Sequence, residues 1–177
     1  MEKIVISSNA KVNIGLKVLK KKDNGYHEII TIFQEIDLSD TITLTKNSQN
    51  LNFNSNVDWL KNDENNLCVV AYNLMEKNYS IGGVNIDLNK KIPPGSGLGG
   101  GSSNAANIIK GVRDLFSIKI PNDELEHLAV KIGADVPFFI NGSIQLGEGI
   151  GEKLTPLKKK ISGKYLIIIP DIIIDTF

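Results

Sequence analysis

A glycine-rich run at residues 93–107, PPGSGLGGGSSNAAN, is the stretch of this sequence whose composition points most directly to chemistry. Glycines let a backbone approach an anion closely, and their N–H groups can point at it. The run lies between a predicted strand and a predicted helix, and the positive end of a helix attracts phosphate. Ser102 and Ser103 fall at the start of that helix, where a hydroxyl can cap it or contact a phosphate or a Mg²⁺ ion. The pattern favours a phosphate-binding loop over a flexible surface loop.

The run differs from two common phosphate motifs. A P-loop closes with Lys followed by Ser or Thr, whereas this loop closes with Gly101-Ser102. Residues 95–100, GSGLGG, fit the dinucleotide pattern G-x-G-x-x-G, which would suggest an oxidoreductase. That pattern also needs an acidic residue at the end of a following strand, and Asp114 falls inside the predicted helix. The dinucleotide reading is therefore the weaker alternative.

One lysine and one aspartate outside the loop have charged side chains for which the residues alone suggest ordinary structural roles. Lys11 lies in the mostly apolar segment AKVNIGL, where a lone lysine ordinarily extends its ammonium to solvent. Asp135 lies in GADVPFF, where its carboxylate could accept a hydroxyl proton or simply cap the turn before Pro137. Residues 24–27, NGYH, are a hairpin signal that also carries an aromatic ring and an imidazole. By themselves the residues favour a capping role for Asp135 and a solvent-directed ammonium for Lys11, and they leave the role of residues 24–27 open.

The single cysteine, Cys68, is expected to be a buried structural thiol. It lies in NNLCVVAYNLMEKNY, where apolar residues recur at helical spacing. No motif links it to either histidine, as nucleophilic catalysis would need. One cysteine excludes disulfides within the chain, and this suits a reducing compartment, so we predict a cytoplasmic location.

The elements that must position these residues follow from the apolar pattern. Alternation predicts strands and helical spacing predicts helices. The predicted strands are 3–8, 11–21, 29–36, 39–46, 82–91, 142–149 and 163–170; the predicted helices are 65–79, 102–116 and 121–133; residues 47–64 are expected to be irregular. Strands come first, helices later and strands again at the end. This order indicates an α+β fold instead of a regular βαβ alternation.

The 20 basic and 20 acidic side chains balance to a formal net charge of zero. This balance gives no general attraction to nucleic acid or to an anionic membrane, so neither is predicted as a partner. The lysine runs at 20–22 and 158–160 are expected to be solvated turns. The first residues lack the apolar core of a signal peptide. The C-terminal YLIIIPDIIIDTF is interrupted by Pro170 and Asp171 and is too short to span a bilayer.

The complete string PPGSGLGGGSSNAA resembles the nucleotide-binding motif of the GHMP kinase superfamily, roughly P-x-x-x-G-L-G/S-S/G-S/G-A/S. Residues 9–42 are similar to an N-terminal signature of A-K-x-N-x-x-L followed by G-Y-H and then F. Residues 132–139, IGADVPFF, are similar to a third motif. Three ordered motifs make the resemblance specific, and together they match the branch that phosphorylates 4-diphosphocytidyl-2-C-methyl-D-erythritol.

The resemblance implies the fold of a GHMP kinase N-terminal domain, similar to domain 2 of ribosomal protein S5. It implies transfer of the γ-phosphoryl group of ATP to the 2-hydroxyl of the methylerythritol portion, in the non-mevalonate synthesis of isoprenoid precursors. By motif, Asp135 falls on the catalytic base and Lys11 on the catalytic lysine, whose charge would stabilise the charge that develops on oxygen and phosphate. Mg²⁺ would neutralise the phosphates, with Ser102 as its protein contact.

The resemblance also assigns binding residues. For the substrate, a cytosine ring needs an aromatic face and hydrogen-bond partners along its edge. The implied substrate-binding residues are Asn13, Tyr26, His27 and Phe33. The implied ATP-binding residues are Asn66, Leu67, Lys90, Pro93, Pro94, Gly95, Ser96, Gly97, Leu98, Gly99, Gly100, Gly101, Ser102 and Ser103.

Members of the superfamily are longer than this chain and carry a second α+β domain. We expect residues 1–160 to be the N-terminal ATP-binding domain and residues 161–177 to begin the second one, so that the chain would be a fragment. In the superfamily an aromatic residue of the second domain helps to hold cytosine; either Phe177 would stand in for it, or that residue is absent from this chain. Another GHMP kinase that acts on mevalonate, homoserine or a sugar remains an alternative, as does a non-catalytic nucleotide-binding module. The oligomeric state is not predicted.

Overall fold

The computed structural model of the protein describes residues 2–23, 25–61, 63, 65–159 and 161–169. In this part of the chain six strands form one sheet, with helices inserted between them. The strands are β1 (Lys3–Lys21), β2 (His27–Lys46), β3 (Asn52–Ser55), β4 (Val84–Asn89), β5 (Ile144–Glu148) and β6 (Lys153–Pro156). The helices are α1 (Asp58–Lys61), α2 (Leu67–Tyr79), α3 (Gly100–Leu115), α4 (Asn122–Ala129) and α5 (Phe138–Asn141). None of these helices is long and apolar enough to cross a membrane.

Strand β2 is the centre of the sheet. It pairs with β1 along most of its length, with β4 through residues 41–46 and with β5 through residues 31–34, all antiparallel. Strand β3 joins β4 in parallel, and β6 extends the sheet beyond β5. The order is therefore β3-β4-β2-β5-β6, with β1 also paired to β2. This mixture confirms the predicted α+β class.

The sequence predicted two shorter strands where the structure has β1 (3–8 and 11–21) and two where it has β2 (29–36 and 39–46). β1 runs without a break through Asn9 and Ala10, and β2 runs through residues 37 and 38. The ladder shifts register at Asn9/Ala10 and again between Ile14 and Leu16. At Asn9/Ala10 the pairing passes from Ser39 to Ile36, so residues 37 and 38 of β2 have no partner on β1 and the ladder is locally irregular. The sequence pattern therefore ended at a bulge, whereas the strand did not.

Helices α2 and α3 pack together, and α3 also packs on β1 and β2. The predicted apolar stripe of α3 is buried at Ile108, Ile109, Val112 and Leu115, and Phe116 packs beside it. Gly111 allows the close approach, because a Cβ there would lie 2.5 Å from Ile6 Cδ1 and 2.6 Å from Leu44 Cδ1. Val84, Ile86 and Leu88 of β4 are all buried, as their spacing predicted.

Some predicted elements were wrong. Residues 47–64, expected to be irregular, contain β3 and α1, and β6 and α5 were not foreseen because four-residue elements give too little periodicity. The helix predicted over 121–133 ends at Ala129. Residues 163–169 are mostly apolar but form no strand, because a strand needs a hydrogen-bonded neighbour and none of the described strands pairs with them. Residue 170, the end of that prediction, lies outside the described residues, as does Asn24 of the predicted turn.

Candidate functional site

A cavity of about 330 Å³ opens where the end of β4, the glycine loop and the start of α3 meet the α1–α2 connection. The predicted ATP-binding residues converge here from three parts of the chain. The cavity is lined by Asn66, Leu67, Lys90, every residue from Pro93 to Gly101, and Ser102. It is thus one continuous surface, large enough to hold part of a nucleotide.

The glycine loop has the backbone of an anion-binding site. Gly95, Gly97 and Gly99 have φ angles of +67°, +72° and +70°, which side-chain-bearing residues adopt only at a cost. Left-handed residues at alternate positions turn successive N–H groups toward one side, which forms a concavity for an anion. Gly99 is also the N-cap of α3 and offers no side-chain cap. The first N–H groups of that 16-residue helix therefore add to the same positive potential.

The two serines after the loop have different environments. Ser102 is half-buried and lines the cavity. Ser103 is fully buried, and its hydroxyl lies 2.8 Å from the hydroxyl of Ser8 on β1. It also accepts a hydrogen bond from Asn107 Nδ2 at 3.4 Å. The structure therefore gives the Ser103 hydroxyl a packing role between α3 and β1, and does not support the predicted contact of this hydroxyl with a ligand.

A second polar cluster lies beside the loop. The Lys11 ammonium is 3.4 Å from Asp135 Oδ2, and it donates a 2.6 Å hydrogen bond to Asn13 Oδ1. The Lys11 side chain is only 7% exposed, whereas that of Asp135 is 35% exposed. Lys11 therefore does not extend to solvent as an isolated strand lysine would. It is held in place, and the carboxylate that it faces remains open to a ligand.

The orientation of Asn13 is fixed by Thr31 on the neighbouring strand. Asn13 Nδ2 donates to Thr31 Oγ1 at 3.0 Å, and that hydroxyl in turn donates to the carbonyl of Gly15 at 3.0 Å. Because the amide nitrogen is committed to Thr31, the amide oxygen faces Lys11. Thr31 is 2% exposed, so this chain of hydrogen bonds is shielded from competing water.

The cavity and the polar cluster are joined through Lys11. Its backbone N–H donates to the carbonyl of Leu98 in the glycine loop at 2.9 Å. A Cβ on Gly99 would lie 3.1 Å from Lys11 Cγ and 2.9 Å from Phe139 Cζ. The loop can pass this closely over the lysine only because residue 99 has no side chain. The anion-binding backbone and the Lys11–Asp135 pair therefore form one continuous site.

The predicted substrate residues are only partly brought together. Asn13 is in the polar cluster, but Phe33 is 1% exposed and packs on Phe138 with ring centroids 5.1 Å apart. A buried ring has no free face, so Phe33 forms the floor of the site and does not serve as the predicted stacking platform. Tyr26 and His27 lie at the exposed end of the β1–β2 pair, away from the Lys11–Asp135 contact along the strands.

Seven cavity residues were not predicted as binding residues, and Trp59, Asn104 and Cys68 are the three with the most distinctive environments. Trp59 in α1 is 58% exposed at the cavity, and Asn104 in α3 is 2% exposed with no hydrogen-bond partner for its Oδ1 among the described residues. Cys68 also lines the cavity; it is buried, as predicted, and burial raises its pKa to about 12. Asn104 follows the two serines of the quoted motif, so its position was available from sequence, whereas α1 gave no helical signal that would have drawn attention to Trp59.

The fold and the loop together define a class. The sequence profile of the family described as "GHMP kinases N terminal domain" matches residues 66–143, which include α2, β4, the glycine loop, α3 and Asp135. The chain therefore has the fold of a GHMP kinase N-terminal domain.

The chain is also similar to individual kinases of that class. The chain is 40% identical over 178 residues to the 4-diphosphocytidyl-2-C-methyl-D-erythritol kinase of Lachnospira eligens, an alignment that covers 99% of this chain and 62% of that protein. It is 37% identical to the enzyme of the same name from Acetivibrio thermocellus, again over 99% of this chain and 62% of the relative. A crystal structure of 4-(cytidine 5'-diphospho)-2C-methyl-D-erythritol kinase matches with a TM-score of 0.76 and 37% identity, over 87% of this chain and 55% of that one.

A mevalonate kinase structure from Methanococcus jannaschii matches with a TM-score of 0.65 at 20% identity, over 88% of this chain and 56% of that one. At this identity the match shows the fold alone. The chain spans about 62% of the length of the first two curated relatives.

Proposed function

We propose that the protein transfers the γ-phosphoryl group of ATP to the 2-hydroxyl of 4-diphosphocytidyl-2-C-methyl-D-erythritol. The observation that carries this proposal is the contact between the two parts of the site. A partly open carboxylate, Asp135, faces a buried ammonium, Lys11, and the backbone of that lysine is bonded to the anion-binding loop at Leu98. Phosphoryl transfer needs this combination of a proton acceptor, a fixed cation and a phosphate cradle. The similarity to kinases of that name supports the choice of substrate.

ATP would lie with its phosphates on the loop and its base toward the α1–α2 connection. The loop offers backbone N–H groups at Gly95, Gly97 and Gly99 and the positive end of α3. The apolar walls at Leu67 and Leu88 suit an aromatic base. These features, together with the GHMP kinase profile, support ATP as the phosphoryl donor.

The transfer step follows from the polar cluster. The oxygen of the substrate hydroxyl forms a bond to the γ-phosphorus, and the Asp135 carboxylate accepts the proton that this hydroxyl loses. The bond from that phosphorus to the bridging oxygen of the β-phosphate breaks, and ADP leaves with the electron pair. The Lys11 ammonium, held by Asn13, stabilises negative charge on the transferring group.

Magnesium fits the site as an ion held mainly by the nucleotide. No group of three or more His, Cys, Asp or Glu side chains in the described part of the chain is arranged to hold a metal. Mg²⁺ commonly binds through one or two protein ligands, phosphate oxygens and water. The Ser102 hydroxyl at the cavity is the protein contact that we propose, and the ion would neutralise charge on the phosphates.

The cytosine end of the substrate would lie along β2. A Cβ on Gly151 would be 3.7 Å from Asp135 Oδ1 and 3.7 Å from Ile29 Cδ1, so the carboxylate is close to Ile29. His27 lies two residues farther along β2, about 7 Å at the usual rise of a strand. The diphosphate linkage and the remainder of the methylerythritol portion would have to cover both this step and the distance from Asp135 to Ile29 to bring the ring near Tyr26 and His27. The exposure of both residues leaves them accessible to that ring.

The test is ADP release from Mg-ATP by this chain, with and without 4-diphosphocytidyl-2-C-methyl-D-erythritol. Mevalonate and homoserine serve as alternative acceptors, and a relative of full length serves as the positive control. We expect release only with the cytidylylated substrate. ADP release with mevalonate or homoserine instead would contradict the proposed choice of substrate. ATP binding without release with any acceptor, beside an active control, would favour a nucleotide-binding module over an enzyme.

The remaining expectations stay predictions. We propose that the protein acts in the cytoplasm on a small molecule, without nucleic-acid or membrane partners. The division into an ATP-binding domain over 1–160 and the start of a second domain over 161–177 is likewise a proposal, and Phe177 lies outside the described residues.

A further inference from the structure

A fully buried carboxylate lies beneath the nucleotide cavity. Asp40 on β2 is 0% exposed, and both of its oxygens are in use. Oδ2 accepts a 2.6 Å hydrogen bond from the Lys90 ammonium. Oδ1 accepts from the backbone N–H groups of Lys91 at 2.6 Å and Ile92 at 2.8 Å. Neither the phosphate motif nor the Lys11–Asp135 cluster includes this residue.

The partners of Asp40 lead directly into the nucleotide site. Lys91 and Ile92 are the two residues before Pro93, so Asp40 anchors the chain where the glycine loop begins. Lys90 lines the cavity, and a Cβ on Gly100 would lie 3.0 Å from its Nζ. The ammonium is therefore held against the first turn of α3, at the place where phosphate binding is expected.

Lys90 is also fixed through its backbone. Its N–H donates to Asn56 Oδ1 at 2.7 Å, and its carbonyl accepts from Asn56 Nδ2 at 3.1 Å. Asn56 thus holds the main chain of Lys90 while Asp40 holds the side chain. With both ends fixed, the position of the ammonium is set before any ligand arrives.

The energetics of the buried Asp40–Lys90 pair favour a role in positioning the ammonium over a role in stabilising the fold. A buried ion pair often contributes little net stability, because desolvation offsets the attraction between the charges. An ammonium beside a helix N-terminus is moreover repelled by the helix dipole. Asp40 compensates that repulsion and keeps the cation where it can contact an anion. A lysine ammonium has three N–H donors, and the bond to Oδ2 uses one of them.

We propose that Asp40 is a positioning residue for the nucleotide: it holds the Lys90 ammonium at the first turn of α3 and anchors the entry to the glycine loop. The proposal rests on the proposed function, since it takes ATP as the ligand of the cavity. Asp40 acts through Lys90 and the backbone and does not itself touch the ligand. Its loss should therefore weaken nucleotide binding more than it slows the transfer step.

The test uses the single tryptophan of the chain. Trp59 lies at the cavity, so its fluorescence should change when Mg-ATP binds. We expect Asp40→Asn to raise the Kd of Mg-ATP by about tenfold or more, because a charged hydrogen bond is lost. Asp87→Asn is the matched control, since Asp87 is an exposed carboxylate on the neighbouring β4. Its Kd should change less than about twofold.

A second variant separates positioning from general destabilisation. Lys90→Met keeps the length of the side chain, removes the ammonium and leaves both backbone bonds of Asp40 in place. We expect it to weaken Mg-ATP binding as well, and the Asp40→Asn/Lys90→Met double variant to be no weaker than the worse of the two single variants. If Asp40→Asn lowers the melting temperature while Kd stays the same in all three variants, the positioning role is wrong.

Amide hydrogen exchange tests the same inference without a nucleotide. In Asp40→Asn the amides of residues 91–101 should exchange about tenfold faster than in the wild type, while those of α4 keep their rates. If the wild-type chain fails to bind Mg-ATP, the proposed function is contradicted. In that case the exchange rates of residues 91–101 alone would show whether Asp40 holds the loop. Unchanged exchange at residues 91–101 would overturn the inference.

Discussion

Lys11 and Asp135 come from distant parts of the chain, one from β1 and one from the turn before α5, and their side chains meet at 3.4 Å. The lysine is buried and bonded to Asn13, whereas the carboxylate is partly open. This asymmetry gives the two residues different roles in the proposed transfer. The lysine is a fixed charge, and the aspartate is the group that a substrate hydroxyl can reach.

Asp135→Asn should therefore remove most turnover without removing ATP binding. An amide cannot accept the hydroxyl proton, and general base catalysis accounts for about 100- to 10,000-fold in rate. The measurement is kcat in the ADP-release assay together with the Kd of Mg-ATP, for this chain and at the matching position of a relative of full length. Asp123→Asn, an exposed change in α4, is the control. Turnover near the wild-type value would exclude Asp135 as the base.

The raised pKa of Cys68 predicts that the folded protein loses stability at high pH. Burial raises the pKa of this thiol to about 12 from a reference value of 9.0. Between these two pH values the unfolded chain loses the thiol proton while the folded chain keeps it, so stability falls as the pH rises. At pH 10.5 the loss due to Cys68 should be about 2 kcal/mol.

The measurement is the urea-unfolding free energy of the wild type and of Cys68→Ala at pH 8 and at pH 10.5. The cost of the smaller side chain is the same at both pH values and cancels, as do the effects of the other titrating groups. The wild type should lose more stability than the variant between the two pH values. An equal loss would show that the thiol titrates normally in the folded protein.

At the scale of elements, the glycine loop depends on two different properties of glycine. Gly95 and Gly99 both have positive φ, at +67° and +70°. A Cβ on Gly95 would meet nothing within 4 Å, whereas a Cβ on Gly99 would lie 2.9 Å from Phe139 and 3.1 Å from Lys11. The two positions thus separate backbone strain from close packing within one loop.

Gly95→Ala should cost about 1–2 kcal/mol, the penalty for a left-handed L-residue. Gly99→Ala should cost that amount and about 1–3 kcal/mol more for the overpacked contact. Because the clash falls on Lys11, Gly99→Ala should also lower kcat, whereas Gly95→Ala should act mainly on ATP affinity. Urea unfolding and the ADP-release assay measure the two effects. Equal stability losses for both variants would mean that residue 99 is not closely packed against Lys11 and Phe139.

At the scale of the whole molecule, an apolar surface lies on the segment 161–169. Leu166 and Ile168 are 88% and 80% exposed. The segment is held to β2 at its start, where Gln34 bonds to the backbone of Ile161 and to the Tyr165 hydroxyl. Neighbouring exposed apolar side chains on an anchored segment mark a surface that favours association.

We expect the chain to self-associate as its concentration rises, and Leu166→Lys/Ile168→Lys to reduce this association. The physical reason is that each lysine adds a solvated charge to a surface that otherwise gains free energy on leaving water. Sedimentation velocity over a range of concentrations measures the effect. Val5→Lys, at a residue that is 60% exposed on β1, is the control. Association that the double variant leaves unchanged would show that another surface is responsible.

Local pattern was sufficient where a feature depends on residues close in the chain. The long amphipathic helix α3, the buried face of β4 and the glycine loop between them were predicted from spacing alone, because side-chain period and glycine content are local properties. The short elements β3, β6 and α5 gave too little periodicity, and the bulge at Asn9/Ala10 hid the continuity of β1. Similarity of motif, and not geometry, singled out Lys11, Asn13 and Asp135.

The sequence by itself determined the α+β class, the glycine-rich loop between β4 and α3, and the residue types available for the proposed phosphoryl transfer, since these follow from composition and from order along the chain. Only the tertiary structure decided which of those residues meet. It brought Lys11 to Asp135 and to the loop, turned the Ser103 hydroxyl toward Ser8, buried the Phe33 ring, and paired Asp40 with Lys90 at the cavity. These outcomes depend on the pairing register of β1 with β2 and on how closely α3 packs on the sheet, because contacts between distant segments are set by packing and not by local propensity.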